Sequence, residues 1–145
     1  MQLAPGSDAL VRLLRLAGAP VDGEKAYRLV IDEVPNANRV RNIGVNLAVR
    51  YALPLFFVNP DASQPKLVWT IESRGGRKVL VSVNSGDRSV RISDLAIGGV
   101  KIAPGLAGYV LGRSERVFEL PRSAPNAGAI SAETDKGRLN AQVGR

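Results

Sequence analysis

The chain has 145 residues with 20 basic and 13 acidic side chains, a net charge of +7, and neither cysteine nor histidine. That composition excludes a disulfide scaffold, thiolate and Cys/His metal sites, and every nucleophile–histidine mechanism. An apolar content of 45% excludes a disordered or collagen-like chain, and the length allows one ordinary domain or two small ones.

No apolar run approaches the ~18 residues that a membrane-spanning helix needs. The longest, residues 52–58, is strand-length and contains Pro54, so no membrane insertion is expected. The first six residues, MQLAPG, show no basic n-region and no apolar h-region. Read literally, that predicts a cytoplasmic protein. Charge is unevenly shared: residues 1–61 carry seven basic and six acidic groups, residues 62–145 thirteen and seven. A basic surface raises nucleic acid or anionic lipid as partners. The densest cluster, Arg74-Gly-Gly-Arg77-Lys78, reads instead as a hairpin turn, and there are few aromatic side chains for base stacking. No nucleic-acid partner is expected.

In chain order, residues 8–16 come first, and their Leu10, Leu13 and Leu14 suit one face of a helix. Alternation of Leu10, Arg12, Leu14 and Leu16 suits a strand equally. A loop over 18–23 leads to a β-rich run over 26–34, stopped by Pro35, with a second loop over 35–39. Then Ile43, Val45, Leu47, Val49, Tyr51, Leu53, Leu55 and Phe57 fill consecutive odd positions, all apolar. Such alternation marks a strand with one apolar face. At ~3.3 Å per residue it would span roughly 50 Å, far beyond the usual strand. Pro54 predicts a bend, a break or an edge position within it.

Residues 59–66 read as a corner. Short strands follow over 67–73, 78–84 and 90–97, separated by Gly-Gly and Ser-Gly-Asp turns. A Gly/Ala-rich connection runs to Gly108, with strands expected over 109–111 and 116–120. The tail over 129–143 forms a hairpin around Asp135-Lys-Gly137. Short strands with turns every 8–12 residues predict an all-β chain of sandwich type, split near residue 62.

Catalytic chemistry finds no support. Asp32 and Glu33 are adjacent on a strand, so they face opposite sides and are expected in solvent and loop hydrogen bonds. Ser73, Ser82, Ser85 and Ser93 lack a nucleophile elbow. Gly98-Gly99 and the glycines of 105–112 lack a phosphate-binding pattern. No catalytic residue, metal site or cofactor is expected.

Five segments occur in a telling order: Tyr27-Arg-Leu-Val-Ile-Asp-Glu-Val-Pro35, Arg50-Tyr-Ala-Leu-Pro-Leu-Phe-Phe-Val58, Asn84-Ser-Gly-Asp with Val90-Arg-Ile-Ser-Asp-Leu95, Gly108-Tyr-Val-Leu-Gly112 and Phe118-Glu-Leu-Pro121. Together they resemble the periplasmic pilus-assembly chaperones of the chaperone–usher pathway, in particular the archaic (sigma-type) branch. The resemblance implies two immunoglobulin-like β-sandwich domains of PapD-like fold, the first one partial. Residues 1–61 would be the C-terminal part of the first domain and residues 62–145 the second. A full member has a secretory signal and further strands before the segment matched by Leu3. The resemblance therefore predicts a truncated open reading frame or a misassigned start. It also implies a periplasmic location.

The mechanism it implies is donor-strand complementation, in which a chaperone strand completes a pilin subunit's unfinished sandwich before delivery to an outer-membrane usher. By position that strand is 43–57, with Ile43, Val45, Leu47, Val49, Tyr51 and Leu53 as the donated face. Many family members anchor the subunit's carboxylate with a basic pair. The late site on this strand falls near Pro54, leaving Arg50 as the nearest cation, or simply an exposed arginine on the polar face. By pattern alone the strand could serve the core of its own sandwich. A generic β-sandwich adhesion module, or a non-functional fragment of a chaperone, are the competing readings.

Overall fold

The computed structural model describes residues 4, 6–16, 20–34 and 48–144. The described residues contain nine strands and no helix: β1 (Glu24–Asp32), β2 (Arg50–Val58), β3 (Leu67–Arg74), β4 (Arg77–Asn84), β5 (Val90–Ile97), β6 (Val100–Val110), β7 (Ser114–Glu119), β8 (Ala129–Thr134) and β9 (Gly137–Gln142). The all-β expectation holds.

Strands β3–β9 make two sheets, ordered β3-β4-β7 and β6-β5-β8-β9. Three strands facing four in this order is an immunoglobulin-type arrangement, with β6 and β9 at the edges of the four-stranded sheet. Alternation explains the layering. Leu80, Ser82 and Asn84 of β4 point inward, and Ile92, Leu95, Ile97 and Ile130 meet them from the other sheet, all of them buried. Trp69 and Phe118 stack at 6.0 Å between ring centroids within this core. Each such side chain contributes about 1.5–3 kcal/mol on full burial. The outer face of the first sheet carries Arg74, which donates to Glu115 at 2.8 Å and Glu72 at 2.9 Å. Glu115 first and Glu72 second hold the guanidinium pKa above its ordinary range, and Arg74 lowers that of Glu115.

Two expectations need correction. The Gly/Ala-rich stretch before Gly108 is not a connection: it belongs to the eleven-residue β6. Its pairing with β5 is broken by register shifts around Ser93 and Leu95. Asp94 sits at φ 49° in the bulge and accepts a hydrogen bond from the Gly105 amide at 2.9 Å. The bulge tolerates Pro104 and the glycines that made the sequence look unstructured, and β6 is an edge strand, where proline is allowed. Residues 7–16 are neither helix nor strand. Leu10 and Leu16 are 88% and 91% exposed, so no described layer covers their apolar side chains. A nine-residue helix without tertiary packing is marginal in water, and an unpaired strand has no ladder to hold it.

The remaining strands, β1 and β2, form a separate two-stranded antiparallel sheet. Its register runs from Glu24↔Val58 to Asp32↔Arg50 without a shift, passing straight through Arg28↔Pro54. Of the outcomes expected at Pro54, the edge position is the one found among the described residues.

Candidate functional site

The site of interest is this β1–β2 ribbon. Side chains alternate across it, so register decides which residues share a face. One face collects Tyr27, Leu29 and Ile31 of β1 with Tyr51, Leu53, Leu55 and Phe57 of β2. Tyr27 and Phe57 meet edge to face at 5.7 Å. Lys25, paired with Phe57, is the one charge at the end of that face; the opposite face carries Glu24, Arg28, Asp32 and Arg50 among Ala26, Val30, Ala52 and Phe56. Thus the odd-numbered alternation of the sequence becomes one apolar surface shared by both strands.

Of the six residues singled out on the sequence strand, Ile43, Val45 and Leu47 lie outside the described residues. Val49, Tyr51 and Leu53 are described, and they are 42%, 56% and 45% exposed. Core strands of the sandwich behave differently: Ile92, Leu95 and Ile97 have no exposure at all. The β2 face is thus uncovered by the described residues. β2 has one neighbour, β1, and its other edge has no described partner. A strand edge of this kind presents unpaired N–H and C=O groups ready to pair with another chain.

Arg50 stands on the charged face, away from Tyr51 and Leu53. Its Nε donates to Asp32 Oδ1 at 2.5 Å and its Nη2 to Oδ2 at 2.9 Å, a bidentate pair in solvent. Asp32 and Glu33 go to separate partners, as their adjacency requires. Glu33 extends the ladder by one step: its amide donates to the Val49 carbonyl at 2.9 Å, and the Val49 amide donates to Glu33 Oε2 at 3.2 Å.

A junction that the sequence reading missed fastens the base of the ribbon to the sandwich. The Asn59 amide donates to the Gly23 carbonyl at 2.8 Å, and the Ser89 amide donates to Glu24 Oε1 at 3.0 Å. Arg88 Nη2 donates to the Pro60 carbonyl at 2.7 Å, and Phe56 lies 5.3 Å from the Tyr109 ring. At the centre is Asp87, which accepts from the Ser63 amide at 3.0 Å and hydroxyl at 2.7 Å, and from Arg113 Nε at 2.6 Å. These bonds, the Ser63 hydroxyl foremost, pull the Asp87 carboxyl down to about 2. Gly23 is at φ 71°, and a Cβ there would stand 3.2 Å from the Asp87 Cβ, so the close approach depends on glycine. The one legible hint was the Asn84-Ser-Gly-Asp87 turn, whose aspartate faces a serine 24 residues earlier. Beside the junction lies a cleft of about 340 Å³, with Phe56, Arg88, Tyr109 and Lys136 in its lining.

Comparison with known proteins adds two findings. A family model described as the pili and flagellar-assembly chaperone, PapD N-terminal domain, matches residues 1–64. A chain of the CsuC–CsuE chaperone–tip adhesion subunit pre-assembly complex, from the archaic chaperone-usher Csu pili of Acinetobacter baumannii, is similar in structure. The likeness covers 83% of this chain and 59% of that one, with a TM-score of 0.58 and 23% sequence identity. The present chain thus spans less than two thirds of that solved chain, and the likeness is one of fold. No curated protein matches the sequence significantly. The family model thus matches the first 64 of the 145 residues, and the likeness to the solved chain shows that this chain has the PapD-like immunoglobulin fold.

Proposed function

We propose that this chain is a pilus-subunit chaperone that works by lending β2 to an incomplete pilin sandwich. The observation that carries the reading is an apolar strand face, Val49, Tyr51 and Leu53, left exposed beside a strand edge that has no partner among the described residues. Main-chain pairing along that edge supplies affinity, and alternate side chains entering the subunit's groove supply specificity. Each side chain of Val or Leu size contributes about 1.5–3 kcal/mol when fully buried, so several together outweigh any single polar contact. The donated set extends over Ile43, Val45 and Leu47 by the unbroken odd-position alternation of the sequence.

In this reading residues 1–61 are the strand-lending part and residues 62–145 a second immunoglobulin-like domain that holds its base. Arg50 is the cation nearest the strand for a subunit carboxylate, and it would serve by exchanging Asp32 for the incoming group. The partners are pilin subunits and, downstream, an outer-membrane usher. The setting is the periplasm and no catalysis is involved. The test is co-expression with a pilin from neighbouring genes, the chaperone chain carrying a secretory leader. Wild type should co-purify with pilin, and the Leu47→Asp, Val49→Asp double variant should not, while Trp69 fluorescence shows the second domain still folded. Undiminished co-purification by the double variant overturns strand donation.

A further inference from the structure

Three polar atoms in the sandwich core are sealed from solvent and meet no hydrogen-bond partner among the described residues: Trp69 Nε1, Ser82 Oγ and Arg116 Nε. They are not scattered. Trp69 pairs with Ser82 across β3 and β4, and Ser82 pairs with Arg116 across β4 and β7. All three therefore stand in one row on the inner face of the β3-β4-β7 sheet, and directly paired residues have Cβ atoms about 4.5–5.5 Å apart.

Arg116 is held firmly at its far end. Its Nη2 donates to the Ala107 carbonyl at 2.8 Å and its Nη1 to the Tyr109 carbonyl at 3.3 Å, both on β6. Its guanidinium carbon lies 5.4 Å from the centre of the Phe118 ring. Gly108 makes this reach possible: a Cβ there would lie 2.5 Å from Nη2. Both terminal nitrogens are committed to β6, and the Nε–H is buried with no partner among the described residues.

The row thus offers two obligate donors, an indole N–H and a guanidinium N–H, and a hydroxyl that can accept. Buried polar groups are almost always paired, with protein or with ordered water, and an internal water typically makes about three hydrogen bonds. We propose that one internal water occupies the Trp69–Ser82–Arg116 row. It accepts from Trp69 Nε1–H and Arg116 Nε–H and donates to Ser82 Oγ, binding the three strands of this sheet side by side.

The two states differ in the sign of one measurable effect. If the water is bound, Ser82→Val removes its acceptor and puts a methyl group into its space, which expels it and leaves the two N–H groups unpaired, so stability falls. If the atoms are orphaned, Ser82→Val removes a buried polar group and stability rises. The test uses the full chain, with Trp69 as its single tryptophan reporter. Urea unfolding should show a lower midpoint for Ser82→Val than for wild type; an equal or higher midpoint overturns the proposal. A second measurement needs no variant: rotating-frame cross-relaxation between the Trp69 indole proton and water in the native protein. A dipolar cross-peak of the sign that separates a bound water from proton exchange is expected, and its absence overturns the site. Chloride is the other small occupant. A midpoint that rises with chloride but not with fluoride at equal ionic strength would assign the row to an anion and overturn the water.

Discussion

Asn84 commits its side chain entirely to backbone. Its Oδ1 accepts from the Lys66 and Gly86 amides, both at 3.0 Å, and its Nδ2 donates to the Arg88 carbonyl at 2.9 Å and the Leu111 carbonyl at 3.2 Å. One buried amide therefore joins the linker, the β4–β5 turn and the end of β6. Asn84→Ala leaves several of these groups unpaired, each costing about 1–3 kcal/mol. A loss of at least ~2 kcal/mol in urea unfolding is expected. Asp87 gives a pH signature. Its carboxyl titrates at about 2 in the folded chain, below the ~3.9 of an unfolded aspartate. A depressed carboxyl lends stability that is complete above the unfolded value and is lost as pH falls toward the folded one. Asp87→Asn should therefore be less stable than wild type at neutral pH, and the difference in urea midpoints should shrink between about pH 4 and pH 2.

At the scale of elements, strands with strict alternation and clear turns were legible. The paired segments 67–73, 78–84 and 90–97 match β3, β4 and β5 within a residue or two, and the Asp135-Lys-Gly137 turn joins β8 and β9. β6 was illegible because its bulge is made by Asp94 and Gly105 across two strands, information no single segment holds. The segment 8–16 has helix and strand periodicity at once and no described layer to choose between them. On the ribbon, the apolar set of β2 was readable from alternation. That β1 adds Tyr27, Leu29 and Ile31 to the same face follows only from register. So did the capture of Arg50 by Asp32, a pair 18 residues apart. Since Leu53 faces away from any described core, Leu53→Asp should shift the Trp69-reported unfolding by no more than ~0.5 kcal/mol, the usual surface value. The same change should abolish pilin capture under the proposed function.

For the whole molecule, the sandwich has a continuous buried core and the ribbon has none among the described residues. Local stability follows buried apolar contact, so the two parts should open with very different free energies. Hydrogen exchange read by mass spectrometry should find the β1 and β2 peptides exchanging far faster than those of β4 and β5. Comparable protection would mean the ribbon has cover that its exposed apolar face does not suggest. Under the proposed function, strand lending turns this weakness into the mechanism, because a pilin partner would supply what the ribbon lacks. The same exchange experiment, repeated with a pilin subunit bound, tests that claim most directly. Donation predicts strong new protection of the β2 amides that do not bond to β1, with β4 and β5 unchanged. A stable complex in which β2 gains no protection would contradict it.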